Sequence, residues 1–431
     1  MTDGRDQLLA DRDLRPGSDP CYKCGTCDAS CPVAAVDENF PGPKFQGPEQ
    51  WRLKRQTDHD IDPSIMACSN CMRCDHACPA SVPLSQLHNT ARGQYVTKQQ
   101  PTLTRTAIRN RLLANYRRAA AIASRTPRLA TVLANNRVIR WLLQRGLGIT
   151  AERSFPAFAP QSFRAWWAAR GGDAASRERA REHRSGTGDP PAVAYFHGCY
   201  TNYHTVGVGK ALVRLFESFG YAVRVPSQRC SGTPMFANGA LDDARRDARE
   251  NLASFGESIA NDVPIITSCT SCSMALRQEY PELFDVAGIE RFAANTWDAL
   301  EFLRVHTDLE DAVTAAAVDE ERTYVYHAPC HARNQGLATQ TNELLAGVNA
   351  ISVTDVGDSC SGISGTYGWK AEHYEHSMAI GASMFEHMQA APGNRGMTEC
   401  PTCAMQMTHG TGYAVDHPIE VIADVLGCTP A

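Results

Sequence analysis

Two copies of one cysteine spacing near the N-terminus constrain this chain more than any other feature. The first copy runs from Cys21 to Pro32 and the second from Cys68 to Pro79, and both read Cys-x2-Cys-x2-Cys-x3-Cys-Pro. Three cysteines this close together can ligate three corners of one iron–sulfur cubane, whereas the fourth lies too far along the chain to complete the same cube. Each stretch is therefore expected to wrap a cofactor and to turn away at its proline, which cannot continue a helix.

The doubled spacing is typical of ferredoxins with two [4Fe–4S] clusters, in which the fourth cysteine of each copy ligates the other cluster. It predicts two crossed ligand sets, namely Cys21, Cys24, Cys27 and Cys78 for the first cluster and Cys68, Cys71, Cys74 and Cys31 for the second. Zinc is the alternative, but zinc sites usually separate their two Cys-x2-Cys pairs by a longer spacer. Disulfides fit less well, because such tight repeated spacing conflicts with bridge geometry.

The rest of the composition indicates a reducing compartment. The chain has 17 cysteines in 431 residues, a formal net charge of −5, no charge-free apolar stretch of membrane-spanning length and no apolar signal segment at its N-terminus. We therefore predict a cytoplasmic protein that associates peripherally with the inner face of the cell membrane. The spacer between the two cysteine motifs is rich in proline and glycine over residues 39–48, which predicts an ordered loop there.

The composition changes abruptly at residues 101–170, which contain thirteen arginines, no lysine and one acidic residue, Glu152. Apolar residues recur among the arginines at helical spacing, and basic amphipathic helices of this kind bind membrane surfaces with anionic head groups. The predicted membrane contact comprises Arg109, Arg117, Arg118, Arg137, Arg140, Trp141 and Arg145. Five aromatic residues follow in the same segment, namely Phe155, Phe158, Phe163, Trp166 and Trp167. The alternative is that these helices cover an acidic face of this chain or of a partner subunit. Nothing else in the chain resembles a nucleic-acid-binding module.

The second half of the chain is an internal repeat. Four cysteines of the first copy recur 130 or 131 residues later, which gives the sets Cys199, Cys230, Cys269 and Cys272, and Cys330, Cys360, Cys400 and Cys403. Each copy alternates strand-like and helical runs, with strands predicted at 193–196, 221–225, 264–267, 324–326 and 351–356. The cysteines follow the strand ends, where ligands bind in open α/β sheets, so each set is expected to converge on one point.

Four converging cysteines can hold either a [4Fe–4S] cluster or a zinc ion, and the sequence leaves this choice open. Gly232 and Gly362 are expected to let the backbone approach that cofactor closely. Four nearby histidines could donate hydrogen bonds or handle protons, although a lone histidine is more often structural: His197, His204, His327 and His331. Cys428 stands outside both sets and is expected to be a small apolar core residue.

These observations predict a multidomain α+β fold in four segments. Residues 1–100 form a mostly helical ferredoxin domain with two clusters, and residues 101–190 form the arginine-rich helical segment with a polar linker at 171–191. Residues 191–308 and 309–431 form the two α/β cysteine-rich modules.

This order of domains resembles the CCG-domain iron–sulfur family, which includes subunits of heterodisulfide reductases, glycolate oxidases and anaerobic glycerol-3-phosphate dehydrogenases. Two short sequences are most similar to those of the glycerol-3-phosphate dehydrogenase branch of the family, namely Phe40-Pro-Gly-Pro-Lys44 and Cys360-Ser-Gly-Ile-Ser-Gly-Thr-Tyr-Gly368. Both modules depart from the family's Cys-Cys-Gly triplet, because Ser231 and Ser361 replace its middle cysteine. That cysteine helps to hold the unusual clusters of heterodisulfide reductases, so its absence argues against disulfide-cleaving chemistry.

The resemblance implies an electron-transfer subunit with no catalytic activity of its own. A flavoprotein subunit would oxidise sn-glycerol 3-phosphate in anaerobic respiration, and this chain would pass the electrons to membrane quinone. A subunit of a glycolate or lactate oxidase complex and a thiol–disulfide oxidoreductase are the alternatives. The chain has no Gly-x-Gly-x-x-Gly sequence in a strand–helix setting, so no flavin site of that type is predicted.

Overall fold

Two parallel four-stranded sheets organise the C-terminal half of the molecule. The computed structural model describes residues 20–57, 59–184 and 188–428. The sheets have the strand orders β2-β1-β3-β4 and β6-β5-β7-β8, so the second repeats the topology of the first. Their strands are β1 (Ala192–Phe196), β2 (Ala222–Arg224), β3 (Ile265–Thr267), β4 (Thr296–Asp298), β5 (Arg322–Tyr326), β6 (Ile351–Asp355), β7 (Arg395–Met397) and β8 (Ala414–Asp416).

The predicted repeat and fold class are confirmed, and each sheet gains one edge strand that the sequence analysis did not identify. In each copy the central strand β1 or β5 pairs with strands on both sides, in parallel. The missed edge strands, β4 and β8, contain three residues each. Runs this short give almost no alternation pattern, and their pairing depends on the neighbouring strand.

Helices cover both sheets, and one hydrophobic core spans the two modules. Helix Val206–Ser218 of the first module packs against helix Pro418–Val425 of the second, and their apolar residues share one buried cluster. The remaining helical segments of the modules are Gly198–Tyr203, Thr233–Phe236, Leu241–Ser254, Gly256–Ala260, Thr270–Met274, Ala275–Glu279, Tyr280–Leu283, Ile289–Ala294, Ala299–His306, Leu309–Ala315, Cys330–Arg333, Gln340–Leu345, Tyr367–Trp369, Ala371–His373, Tyr374–Ala390 and Pro401–Thr411.

The N-terminal segment is helical, as predicted. Its helical stretches are Thr26–Ala29, Phe45–Glu49, Gln50–Thr57, Pro63–Ala67, Arg73–Ala77, Leu84–Gln94 and Tyr95–Gln99. The proline- and glycine-rich stretch 39–48 is not wholly a loop, because Phe45–Glu49 forms a π-helical turn that contains Pro48. Pro48 is the fourth residue of this turn and lies two residues before helix Gln50–Thr57.

The arginine-rich segment folds into the helices Arg105–Ala114, Tyr116–Ala123, Pro127–Ala134, Arg137–Leu147 and Phe163–Ala169. The prediction of a membrane contact is wrong for Arg109, which is 3% exposed and forms a two-pronged ion pair with Glu372. Two of the aromatic residues that follow in this segment, Phe163 and Trp167, are buried in the core shared by the modules. Sequence periodicity cannot separate these residues from surface ones, because their burial comes from contacts with distant parts of the chain.

One further difference concerns the segment that joins the halves. The predicted polar linker at 171–191 contains the helix Gly172–Glu182, whose Ser176 hydroxyl accepts a hydrogen bond from the Val223 backbone N–H of β2. No helix among the described residues is both long and apolar enough to span a bilayer.

A buried arginine connects the ferredoxin segment to the first module. Arg92 lies on helix Leu84–Gln94 and has no solvent exposure. Its guanidinium donates to the carbonyl oxygens of Cys68 (3.0 Å) and Phe236 (2.9 Å) and to the side-chain oxygen of Asn89 (2.9 Å). One side chain thereby fixes the second cysteine motif against helix Thr233–Phe236 of the module.

Replacing this side chain should weaken the junction. The change Arg92→Met leaves the three acceptor oxygens without their donor, and each buried unsatisfied group costs about 1–3 kcal/mol. We expect the apparent Tm of the cluster-loaded protein to fall by about 5 °C or more, measured by circular dichroism. Arg249→Met, at an exposed position on helix Leu241–Ser254, is the matched control and should leave the Tm nearly unchanged. An equal effect of the two substitutions would contradict this role of Arg92.

Candidate metal centres

The first metal centre is a small cavity between the two cysteine motifs. Its lining includes Cys21, Cys24, Cys27 and Cys78, so the fourth cysteine of the second motif faces three cysteines of the first. Cys24 is solvent-exposed and Cys27 is buried. Burial, with the charge of Asp28, raises the pKa of Cys27 to about 12. A cation is therefore needed to hold this sulfur as a thiolate, which is the form that binds metals.

The second centre has the complementary set. Its cavity is lined by Cys68, Cys71, Cys74 and Cys31. Burial by itself would raise the pKa of the Cys68 thiol, but Arg92 and His88 bring it down to about 6. The eight cysteines thus lie in two crossed groups, with four thiols around each cavity.

The two motifs adopt the same unusual backbone. Lys23 and Asn70, at equivalent positions, have φ values of 60° and 58°, and the next equivalent pair, Gly25 and Met72, have 81° and 63°. Left-handed conformations are costly for non-glycine residues and persist where the surrounding structure requires them. Here they bend each Cys-x2-Cys-x2-Cys stretch so that its three thiols face one point.

Backbone N–H groups and one histidine contact the sulfurs. The N–H of Ala34 donates to the sulfur of Cys31 (3.5 Å), and the N–H of Val82 donates to that of Cys78 (3.4 Å). His88 lies with Nδ1 3.8 Å from the Cys68 sulfur and Nε2 2.9 Å from the Pro43 carbonyl oxygen. Such contacts adjust the reduction potential of a bound cluster. Sequence reasoning missed this contact of His88 with Cys68, since no motif marks His88.

The proline-rich spacer passes both cavities. Phe40 and Pro43 line the second cavity, while Lys44 and Pro48 line the first. The backbone N–H of Lys44 donates to a carboxylate oxygen of Asp28, in the first motif, at 2.8 Å. This stretch therefore forms part of the wall between the two metal centres.

A larger cavity lies between the cysteine-rich modules. Its volume is about 280 Å³, against about 20 Å³ for each ferredoxin cavity. Its lining includes all eight repeat cysteines, namely Cys199, Cys230, Cys269, Cys272, Cys330, Cys360, Cys400 and Cys403. The two sets face one another across the module interface, where the Ser271 hydroxyl of the first module lies 3.9 Å from the Cys400 sulfur of the second.

The thiol geometry suits a metal centre. The Cys330 and Cys360 sulfurs are 4.0 Å apart, whereas a disulfide requires about 2.05 Å. The neighbouring Cys330 thiol, more than any other influence, lowers the pKa of Cys360 to about 7. In the same way, Cys403 lowers the pKa of Cys400 to about 5. One thiol of each pair thus readily becomes a thiolate, and a four-thiolate set accepts zinc or an iron–sulfur cluster.

The serines that replace the family's middle cysteine point at the cysteine sets. The Ser231 hydroxyl donates to the Cys272 sulfur at 3.3 Å, and the Ser361 hydroxyl lies 3.2 Å from the Cys403 sulfur. Each module therefore has a hydrogen-bonding hydroxyl where the family triplet supplies a thiol. The family triplet indicated only that one cysteine was absent at each of these positions.

The two predicted glycines lie beside the cysteine sets of the modules. Gly232 and Gly362 have φ values of 96° and 80°, a region that disfavours other residues. A Cβ at Gly232 would come within 2.8 Å of the Phe236 ring, and one at Gly362 within 2.1 Å of the Ser377 carbonyl oxygen. Close neighbours therefore restrict both positions to glycine, and the backbone N–H of each glycine hydrogen-bonds a sulfur of its own cysteine set, Gly232 with Cys230 and Gly362 with Cys360.

The four candidate histidines have different environments. Burial lowers the pKa of His197 and of His327 to about 3, so both are neutral at physiological pH. His331 contacts the Asn70 carbonyl oxygen at 3.3 Å, and His204 contacts the Tyr116 hydroxyl at 2.5 Å. His197 and His331, but not His327, line the cavity between the modules. Cys428 is half-buried against the shared core, 3.4 Å from the Ser218 hydroxyl.

The second ferredoxin centre adjoins the second module. Cys71 lines both the second ferredoxin cavity and the cavity between the modules. Arg73 interacts electrostatically with Cys71, Cys330 and Cys360, and it forms an ion pair with Asp358 at 2.8 Å. Arg73 was also missed by sequence reasoning, because an arginine inside a cysteine motif carries no signal of its partner.

Comparison with known proteins agrees with this arrangement. Residues 17–82 match the 4Fe-4S dicluster domain family, and residues 193–277 and 324–408 each match the cysteine-rich domain family. Lactate utilization protein A of Exiguobacterium sp. is 28% identical over 55% of this chain and 97% of its own length. A fumarate reductase (CoM/CoB) subunit of Methanothermobacter marburgensis is 29% identical over 50% of this chain and 41% of its own length.

Another relative aligns over almost the full length. This relative, a subunit of the anaerobic glycerol-3-phosphate dehydrogenase of Escherichia coli K12, is 32% identical over 94% of this chain and 98% of its own length. With a dicluster domain followed by two cysteine-rich domains, this chain belongs to the same family as that anaerobic glycerol-3-phosphate dehydrogenase subunit.

Proposed function

We propose that this chain is the electron-transfer subunit of a quinone-dependent glycerol-3-phosphate dehydrogenase. It would carry electrons from a flavoprotein subunit, which oxidises sn-glycerol 3-phosphate to dihydroxyacetone phosphate, to the membrane quinone pool. The observation that carries the proposal is that the cysteine sites form a row. Within this row, Cys71 lines both the second ferredoxin cavity and the cavity between the modules. The proposed segments are 1–100, 101–190, 191–308 and 309–431.

The crossed sets around the two ferredoxin cavities are the proposed ligands of two [4Fe–4S] clusters. A bound cluster supplies one-electron chemistry. The protein's part is to hold the thiols, to exclude water and to direct the N–H groups of Ala34 and Val82 at sulfur. For each module we propose one further [4Fe–4S] cluster held by its four cysteines, with zinc as the alternative.

The exposed end of this row is the proposed docking place for the flavoprotein. Cys24 is solvent-exposed, and the neighbouring Tyr22 is 77% exposed. Electrons would enter at the first ferredoxin centre, pass to the second, and reach the modules beside Cys71. Arg73 lies at that step, and its positive charge stabilises the reduced form of a neighbouring cluster, which carries one more negative charge than the oxidised form.

The acceptor side is proposed at the arginine-rich helices. Seven large apolar side chains are 47–67% exposed on three consecutive helices, and these are Ile122, Leu129, Val132, Leu133, Val138, Trp141 and Leu142. Arg118, Arg137 and Arg145 are exposed on the same group of helices, and Arg145 stacks over the Trp141 ring at 5.2 Å. Apolar side chains beside arginines suit contact with an anionic membrane surface. Arg117 and Arg140 are half-buried and would lie at the edge of that contact.

The cavity between the modules could receive the quinone ring. Leu113, Tyr116, Phe155 and Trp369 line it together with the repeat cysteines. Reduction of a quinone takes two electrons and two protons. The Tyr116 hydroxyl donates to His204 Nε2, and His204 Nδ1–H donates to the Ala157 carbonyl oxygen at 2.8 Å. This pair connects the cavity wall to a half-buried histidine, through which protons would be resupplied.

The thiol–disulfide alternative receives less support. Ser231 and Ser361 occupy the positions of the cysteines that help to hold the clusters of heterodisulfide reductases, and both contact a module cysteine. A serine hydroxyl is a much poorer ligand for iron–sulfur clusters than a thiolate. A glycolate or lactate oxidase complex would use the same relay with a different flavoprotein.

Substrate-driven reduction tests the donor. When the cluster-loaded chain is mixed anaerobically with its flavoprotein partner, sn-glycerol 3-phosphate should reduce the clusters and thereby bleach their visible absorbance. Glycolate and lactate should not bleach it, and neither should sn-glycerol 3-phosphate without the flavoprotein. Bleaching by glycolate or lactate alone would reject the proposed donor.

Metal analysis tests the centres. Four [4Fe–4S] clusters require about sixteen iron and sixteen sulfide ions per chain, whereas structural zinc in both modules would give about eight iron and two zinc. We expect the higher iron count in protein purified without oxygen. The change Cys360→Ser should remove about four iron, whereas Cys428→Ser, outside all four sets, should remove none. An unchanged iron count in Cys360→Ser would exclude a cluster in the second module.

Vesicle flotation tests the membrane contact. At low salt the protein should float with vesicles of anionic phospholipid, and high salt should release it because the arginine contribution is screened. The double change Trp141→Glu and Leu142→Glu should abolish flotation. Val305→Glu serves as control, because Val305 is 63% exposed on helix Ala299–His306, away from the arginine-rich segment. Wild-type protein that stays with the unbound fraction at low salt would argue instead for a partner subunit on this face.

A further inference from the structure

A second kind of metal-binding group lies outside all four cysteine sets. Asp37, His373 and His376 each offer one ligand atom, and these three atoms lie within 4.8 Å of one another. Asp37 comes six residues after Cys31, in the ferredoxin segment. The histidines belong to the second module, where His373 ends the short helix Ala371–His373 and His376 lies in the first turn of helix Tyr374–Ala390. The cluster thus joins two parts of the chain more than 300 residues apart.

The hydrogen bonding of this cluster is incomplete. The Nδ1 atoms of His373 and His376 are buried without a hydrogen-bond partner, and so is the hydroxyl of Tyr367, whose ring stacks on His373 at 4.4 Å. Buried polar atoms in folded proteins nearly always have a partner, which can be an ion or a water molecule. Three such atoms in one small region, with a carboxylate among them, indicate that a further group belongs there.

An ion pair within the cluster does not explain the arrangement. A carboxylate oxygen of Asp37 is 3.7 Å from His376 Nδ1, which is too long for a hydrogen bond. The other carboxylate oxygen accepts the Asn39 backbone N–H at 3.0 Å, which orients the group. Asp37 itself is 6% exposed, so its charge is shielded from water and needs a nearby cation.

The chemistry of the donors selects a class of ion. Two imidazoles and one carboxylate suit zinc or ferrous iron, whereas magnesium and calcium prefer sets made only of oxygen. Two cationic side chains, Lys370 and Arg109, act electrostatically on His373. Arg109 is neutralised by Glu372.

The distances are compatible with ligation. For three atoms 4.8 Å apart on every side, the centre lies about 2.8 Å from each, so contraction by about 0.7 Å per ligand reaches the usual Zn–N distance of about 2.1 Å. His376 is 32% exposed at its side chain, so the site opens to solvent on one side. That opening gives an ion a route in and leaves room for a water ligand.

We propose that Asp37, His373 and His376 bind one divalent transition-metal ion, with zinc as the ion to test. The ion would join the ferredoxin segment to the second module beside the contact that Cys31, Val33 and Phe40 make with Tyr367. It would therefore hold the second ferredoxin cavity in place against the module to which it adjoins. This site is independent of the proposed electron donor and acceptor.

X-ray absorption at the zinc edge tests the coordination directly, with the full-length, cluster-loaded protein grown in zinc-supplemented medium. A zinc ion at this site has nitrogen and oxygen neighbours at about 2.0–2.2 Å, whereas zinc in a cysteine set has sulfur at about 2.3 Å. We expect a nitrogen and oxygen shell. A spectrum with sulfur neighbours only, or protein without zinc or non-cluster iron, would overturn the proposal.

Variants then assign the ion to these residues. The double change His373→Gln and His376→Gln, and separately Asp37→Asn, should each lose about one zinc per chain with iron and sulfide unchanged. Loss of one iron ion per chain with no loss of sulfide would also support the site, and the resident ion would then be ferrous iron. His387→Gln, exposed on the same helix Tyr374–Ala390, should retain the full metal content. Unchanged metal content in Asp37→Asn and in the double variant would overturn the proposal.

Discussion

The buried guanidinium of Arg92 is the interaction on which the arrangement of the metal centres depends. It donates to a carbonyl oxygen in the second cysteine motif and to another in the first module, and it has no exposure to solvent. A charge buried in this way is tolerated only with its hydrogen bonds in place. The two segments therefore cannot shift apart without breaking these hydrogen bonds. Nearby, Asn70 and Asn89 donate to the buried Glu279 of the module at 3.0 and 3.3 Å. These contacts make the ferredoxin segment and the modules one assembly.

Within that assembly, the repeat brings two sets of cysteines to one cavity. Parallel sheets bring the loops after their strands to one edge, and the two modules face each other with those edges together. Eight cysteines thereby surround one cavity, and Cys71 reaches the same cavity from the ferredoxin side. The serines of the modified triplets place hydroxyls at the last cysteine of each set. These features support a relay of one-electron centres better than a site that cleaves disulfides.

Much of this could be predicted from the chain because the signals were local or periodic. The cysteine spacings, the offset of 130 or 131 residues and the strand–helix alternation depend on neighbouring residues or on a repeat. The errors in the arginine-rich segment and in the predicted linker share one cause, which is contact between distant segments. Arg109 pairs with Glu372, Phe163 enters the module core, and helix Gly172–Glu182 packs on β2. In the sequence these residues look like a membrane-facing helix or a linker.

The sequence by itself determined which residues are equipped for metal chemistry, because thiol spacing restricts the ligands that can reach one cluster. It also determined that the second half consists of two related modules. Only the tertiary structure decided which centres adjoin, that His88 and Arg92 act on Cys68, and that Asp37 meets His373 and His376. Such pairings depend on how separate segments pack, and spacing along the chain carries no information about contacts between segments hundreds of residues apart.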